Sequence, residues 1–303
     1  MNKPLVSVII PTYKRCEMLP RAIETVLNQT YENVQAVIVD DNDPGTEWRE
    51  QTQKIMEDYS SDPRVLYVCH PKNLNGSVAR NTGMRVASGE LITFLDDDDL
   101  YRIDKIEKQV SFLIEHTEYR AVYCGWRRDN ATFMPNGTGD LAYGILSGTN
   151  IIITNVIMMW RRDAIECGGW DEKLRRHQEA AFLLNFFRKG GKIGRIEEVL
   201  VDFDTIDRSN VADPRLNEIQ ILYLLDKYED LIERGDRESR NSKKMIYAHR
   251  YLGIVLTYFK DGSNFWGLIK LIRYLIISPV QFTRVLFQYI WNRVSGKHIK
   301  QTR

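Results

Sequence analysis

No two of the four cysteines, Cys16, Cys69, Cys124 and Cys167, stand close enough to make a CxxC pair. That spacing argues against a zinc knuckle and a redox dithiol, and scattered thiols suit a reducing compartment. No run of about 18 residues is both apolar and free of charge, so no membrane-spanning helix is expected. The first residues, Met1, Asn2, Lys3 and Pro4, lead straight into a short apolar stretch, and no signal peptide is expected. The net charge is only +1, so no global field points to nucleic acid. Internal repeats and low-complexity tracts are missing too. One further absence is local: no Asp or Glu follows Asp261.

What remains, 43% hydrophobic and 27% charged residues, is the composition of a globular chain. Its 303 residues suffice for one large domain, or for one domain with an appendage. Short apolar runs at 5–10 (LVSVII), 34–39 (VQAVIV), 65–68 and 91–95 (LITFL) predict buried strands, the first stopped by Pro11. Between them, apolar residues at helical spacing predict helices over 18–28, 47–59 and 77–87. This alternation predicts an α/β fold with a doubly wound, mainly parallel sheet. Beyond residue 100 the rhythm changes. Helices are expected over 103–115 and 178–189, strands over 121–126, 151–160 and 199–203, and helix from 214 onward. The expected division is an α/β domain over 1–212 and a helical region over 213–303.

In an open parallel sheet, ligands bind beyond the carboxyl ends of the strands. Three polar groups fall at such ends: Pro11, Thr12 and Tyr13 after the first strand, Asp40 and Asp41 after the second, and Asp96 to Asp99 after the fourth. Parallel strands bring all three to one edge. Four consecutive aspartates raise one another's pKa unless a cation joins them. Oxygen ligands without nearby His or Cys favour a hard cation, Mg²⁺ or Mn²⁺. Such an ion keeps one or two carboxylates and completes its shell with substrate phosphates, so a diphosphate is the natural ligand. The competing reading is a solvated acidic turn. Asp41 suits either a nucleobase N–H or a turn, Tyr13 either base stacking or packing, and Arg80 either a phosphate clamp or a solvated helix face. Asn73 and Asn81 flank the same turn and helix.

These segments resemble a known family. The runs LVSVIIPTY (5–13), LNQTY (27–31), VDDN (39–42), GSVARNTG (76–83) and LDDDDL (95–100) look like glycosyltransferase family 2 with the GT-A fold. The resemblance covers roughly residues 4–210 and implies an inverting transfer from a nucleotide-sugar donor, often UDP-linked, with a divalent cation. By position it assigns Pro11, Thr12, Tyr13 and Asp41 to the nucleoside. Asp96 and Asp98 become the acids of a DxD motif, with Asp98 the stronger metal ligand. Asp97, Asn73 and Arg80 join the donor site. The catalytic base is expected after a Gly-Gly-aromatic-Asp segment, here Gly168 to Asp171, and falls on Glu179, where an aspartate is more usual. His177 competes for that role, and Trp170 suits either an acceptor wall or the core. The QxxRW motif of processive synthases is missing, which implies one sugar per event.

Seven basic residues and no acid follow Asp261, so the net +1 of the chain leaves the preceding residues at −6. The same tail is apolar and aromatic, a pattern expected of a helix lying on a membrane surface. The expectation is therefore a cytoplasmic enzyme, peripheral on the inner face of the membrane, with a lipid-linked glycan acceptor in surface-polysaccharide assembly. Two rivals use the same residues. A receiver-like module would end near residue 120, and this pattern continues past 200. A scaffold of the same fold that has lost catalysis would be marked by the glutamate at 179.

Overall fold

The computed structural model describes residues 3–204 and 213–295. The chain divides into two units: Met1–Asp140 with Ile152–Ile206, and Leu141–Ile151 with Asp207–Arg303.

The first unit opens with four parallel strands: β1 (Val6–Thr12), β2 (Val34–Asp40), β3 (Val65–Cys69) and β4 (Leu91–Phe94), ordered β3-β2-β1-β4. The helices between them are α1 (Leu19–Leu27), α2 (Glu47–Glu57) and α3 (Gly76–Val86). Strands β1, β2 and β4 are buried almost throughout, as strands covered on both faces must be. Helix α1 buries Leu19, Ala22, Ile23 and Val26, one stripe at the spacing read from the sequence. Helix α3 starts where Asn75 accepts hydrogen bonds from the Ser77 and Val78 N–H groups.

Strand β1 does not stop at Pro11; it continues to Thr12, which pairs with Asp40. The Ile9 carbonyl accepts from Leu95, so odd-numbered residues of β1 face β4. Pairing with β4 ends at Ile9 and Phe94, and Pro11, lacking an N–H, interrupts no rung there.

Beyond β4 the sheet is mixed. The added strands are β5 (Leu100–Tyr101), β6 (Ala121–Arg128), β7 (Ala131–Phe133), β8 (Ile157–Trp160) and β9 (Ile193–Phe203). β8 runs antiparallel to β4 and β6, whereas β9 is parallel to β6. Helices α4 (Lys105–Glu115), α6 (Arg161–Glu166) and α7 (Gln178–Arg188) complete this unit. The strand expected over 151–160 is shorter than its apolar run. A 3₁₀ turn, Thr154–Val156, precedes it and presents Asn155 to the acidic cluster.

The second unit holds the short helix α5 (Ala142–Ser147) and helices α8 (Pro214–Lys227), α9 (Glu229–Glu238), α10 (Ser242–Lys260), α11 (Asn264–Ile277) and α12 (Pro279–Val294). Leu224, Tyr228, Ile232, Ile254 and Phe282 are among its fully buried side chains. Buried Arg250 donates to the Ile145 and Leu146 carbonyls at the end of α5, a favoured place for a cation. Buried Glu218 accepts from Lys270 (2.6 Å), Tyr258 (2.8 Å) and Tyr274 (3.0 Å). Burial pushes its carboxyl up, but these three donors outweigh it and hold the pKa below the usual value. Among the described residues, no helix is long and apolar enough to cross a membrane. The four cysteines are free thiols.

Candidate active site

The register of β1, β2 and β3 aligns Thr12 with Asp40 and Asp40 with Cys69, so the three strands end together. Asp41 follows β2, and its own N–H continues the ladder to the Thr12 carbonyl. Its buried carboxylate accepts four hydrogen bonds. Leu74 N–H (2.8 Å) and His70 Nδ1 (2.7 Å) meet one oxygen; Asn75 N–H (2.9 Å) and the Asn73 amide (2.9 Å) meet the other. In this structure Asp41 therefore ties down the segment 70–75. A nucleobase N–H reaching this carboxylate must share it with these donors, and exposed Asn73 is the one at the surface. Nearby, Tyr13 is 39% exposed, and the Lys14 ammonium lies 5.0 Å from its ring and 4.8 Å from that of Trp48. Pro11 is half-buried and Thr12 buried beneath them.

The four aspartates after β4 divide into two pairs. Asp97 and Asp99 are buried. Asn155 accepts from the Asp96 N–H (3.1 Å) and donates to the Asp99 carboxylate, clamping the turn. The Asp204 N–H donates to the other Asp99 oxygen at 2.8 Å. Burial, then the nearby Asp96 and Asp98 charges, push Asp99 up to about 9, and the Asp204 N–H opposes them. Burial likewise pushes Asp97 up to about 7, against the pull of the Thr12 hydroxyl. The sequence reading places Asp97 among the donor ligands; the structure buries it, 4% exposed, beneath the more open Asp96 and Asp98.

Asp96 and Asp98 are the more open pair, and each meets an arginine. Arg80 reaches Asp96 at 2.5 Å, and Arg15 reaches Asp98 at 2.5 Å. Burial and the Asp96 charge raise the Asp98 pKa, and Arg15 opposes them. Among the described residues no three His, Cys, Asp or Glu side chains converge as a ready metal cage. A hard cation shared with a diphosphate needs only one or two carboxylates, however. Asp98 and Asp96, the half-buried pair of the cluster, meet that need. The donor set fits Mg²⁺ or Mn²⁺.

Arg80, from α3, spans the site. Besides Asp96 it donates to the Gln178 side chain (3.0 Å), and its guanidinium lies 5.0 Å from the Trp170 ring centre. Gln178 and Glu179 form the first turn of α7, entered through His177 with φ 58°. Burial pushes the half-buried Glu179 carboxyl up; Arg80 pulls it down and Asp96 pushes it up again. Glu179 therefore feels both members of the Arg80–Asp96 pair. Trp170 is not an acceptor wall. It is 2% exposed and stacks on Phe182 at 4.6 Å, edge-on to Phe94. An indole that can bury its whole face in an apolar layer does so.

The Glycosyl transferase family 2 model matches residues 7–169, more than half of the chain. The chain belongs to glycosyltransferase family 2. Over 96% of its length this family 2 enzyme is 24% identical to the amylovoran biosynthesis glycosyltransferase AmsB of Erwinia amylovora, of which it spans 98%. Its fold is similar to that of the mannosyltransferase PcManGT from Pyrobaculum calidifontis, solved with GDP-Man and Mn²⁺. The TM-score is 0.61, at 14% identity, over 99% of this chain and 85% of that one. It is also similar to residues 1–349 of S. aureus TarS, solved with UDP-GlcNAc. There the TM-score is 0.59, at 14% identity, over 84% and 81%. The α/β sheet with C-terminal helices is thus the GT-A fold of this family.

Other residues brace this glycosyltransferase's candidate site, and of these Arg49 carries no motif of its own. Buried Arg49 pairs with Asp40 and donates to the Asn42 and His70 carbonyls, closing the end of β2. Asn81 accepts from the Trp170 N–H and donates to the Trp170 carbonyl, both at 2.9 Å, fixing the approach to α7. Gly169, at φ 67°, passes so close that an added Cβ would lie 2.6 Å from Asn81 Oδ1. Gly169→Ala is expected to cost about 2 kcal/mol through left-handed strain and this clash, seen as a lowered Tm in calorimetry. An unchanged Tm would show that the segment relaxes freely.

Proposed function

We propose that this chain is an inverting, metal-dependent glycosyltransferase that moves a single sugar from a UDP-sugar to an acceptor hydroxyl in surface-polysaccharide assembly. The observation that carries the proposal is the Arg80 bridge. One guanidinium joins Asp96, the diphosphate-side acid, to Gln178, the neighbour of the candidate base Glu179. The structures in complex with UDP-GlcNAc and with GDP-Man and Mn²⁺ support a nucleotide-sugar donor, and the AmsB likeness supports the polysaccharide setting.

In this reading Asp98, with Asp96, would hold Mg²⁺ or Mn²⁺ beside the donor diphosphate. When bound, the cation neutralises charge on the departing diphosphate. Tyr13 offers its exposed ring to the base, and the Asp41–Asn73 pair offers the polar edge. Glu179 takes the proton of the acceptor hydroxyl as its oxygen attacks the anomeric carbon. The new C–O bond forms on the face opposite the breaking bond to phosphate, and the electron pair of that bond leaves on the nucleotide. The anomeric configuration inverts. His177, at the helix entrance, is placed on the acceptor side. The acceptor is proposed to be lipid-linked and the enzyme to work on the cytoplasmic face of a membrane.

A thermal-shift series with UDP- and GDP-sugars, with and without Mn²⁺, tests the donor and the metal. A matching donor near a hundred times its Kd should add about 2.7 kcal/mol of stability. An identical shift in chelator would remove the metal, and a response to GDP-sugars alone would remove UDP. NMR of the product anomer decides inversion. Because burial raises the Glu179 pKa in the free chain, the acid limb of kcat/KM should fall above the ordinary glutamate value of 4.5. Activity is lost as pH drops and the base takes up its proton. A limb at or below that value would argue against Glu179.

A further inference from the structure

The second unit ends in two helices whose outer faces are apolar. In α11, Phe265, Leu268, Ile269, Ile272 and Ile276 recur at intervals of three and four residues and are exposed, Phe265 at 70% and Ile276 at 76%. The buried stripe of the same helix is Gly267 and Tyr274. Helix α12 repeats the arrangement. Phe282 and Val285 face inward, while Phe287, Ile290, Trp291 and Val294 face out, Val294 at 81%. A helix packed on a water-soluble unit normally turns charge outward. Two adjacent helices that turn large apolar side chains outward mark an interaction surface.

Length and charge decide what covers it. Helices of 14 and 16 residues reach about 21 and 24 Å, short of the roughly 30 Å hydrocarbon core. They can lie on a bilayer but not cross it. Arg273, Arg284 and Arg293 are exposed on these helices, and the sequence places no acid after Asp261. Lys270 turns inward to Glu218 and is left out of this set. A second copy of the chain would set these cations against their own kind. An anionic lipid surface supplies opposite charge with an apolar layer beneath it. Beside α11 lies a groove of about 360 Å³ whose lining includes Ile219, Leu222, Arg215 and Trp266. The Arg215 guanidinium sits 5.6 Å from the Trp266 ring centre, a cation at the edge of an apolar recess.

We propose that the outer faces of α11 and α12 seat this protein in the plane of an anionic phospholipid surface, with head-group phosphates meeting Arg215, Arg273 and Arg284. This deepens the reading of a membrane-held acceptor, yet it is tested without donor or turnover, so either can fail alone. The full chain is sedimented with vesicles of phosphatidylcholine, alone or mixed with phosphatidylglycerol. Binding is expected only with phosphatidylglycerol and should weaken with salt. Ile272→Glu with Ile276→Glu should lower it about tenfold or more. Arg273→Ala with Arg284→Ala should lower it about fivefold per charge. All four positions are exposed, and circular dichroism checks that the variants stay folded. A wild type that remains in the supernatant with phosphatidylglycerol vesicles overturns the proposal, as does a double glutamate variant that binds like wild type. A dimer dissolved by that same variant, without vesicle binding, would assign the surface to a second copy.

Discussion

Asp98→Ala should abolish sugar transfer while leaving the protein as stable as before, or more so. Loss of a group that steadies charge in the transition state typically costs about a hundredfold or more in rate. The stability half follows from the sign of the pKa shift. Burial and Asp96 raise the Asp98 pKa, so its ionised form is disfavoured in the folded chain. At neutral pH that cost offsets the Arg15 ion pair, so truncating the carboxylate is expected to leave Tm unchanged or slightly raised. Calorimetry paired with a donor-turnover assay measures both. Wild-type turnover in the variant would remove Asp98 from the diphosphate site. A large fall in Tm would instead mark the Arg15–Asp98 pair as a structural tie.

Glu179→Gln should keep donor binding and lose turnover by about a hundredfold to ten-thousandfold, the usual worth of a positioned base. The amide preserves size and leaves Gln178, the partner of Arg80, untouched. Donor affinity read by thermal shift should therefore hold while kcat collapses. If kcat survives, the base lies elsewhere, and His177 is the next residue to change. If donor affinity falls along with kcat, Glu179 acts mainly by setting the Arg80–Asp96 pair.

The first half of the fold was legible in the sequence because three of its four strands, β1, β2 and β4, are buried on both faces. Such strands read as unbroken apolar runs, and their helices as single stripes. Legibility fades where burial is one-sided. Residues 193–198 of β9 carry Arg195, Glu197 and Glu198, and only the last part of that strand was read. Within β9 and its partner the register shifts near Gly125, which further blurs the alternation. The run at 151–160 is apolar for two reasons. Its end is strand, but Ile151 belongs to the other unit and Asn155 must turn toward the acids.

The site was legible as residue types at strand ends and illegible as a division of labour. Nothing in four identical letters tells that Asp97 and Asp99 are buried while Asp96 and Asp98 are more open. For Asp99 that follows from Asn155 and Asp204, which arrive from distant parts of the chain. Trp170 stayed open in the sequence because an aromatic after two glycines reads equally well as a sugar platform or as core. Phe182 and Phe94, which decide the matter, lie on other elements.

The four bonds into Asp41 bear on which substitutions the segment 70–75 can accept. Two of its donors are the main-chain N–H groups of Leu74 and Asn75, and every residue but proline supplies one. The side chain at 74 can therefore vary and the segment keep its path. Asp41 has no such freedom. An asparagine there would keep one acceptor oxygen but turn an amide N–H₂ toward two N–H donors, so half of the anchor between β3 and α3 would be lost.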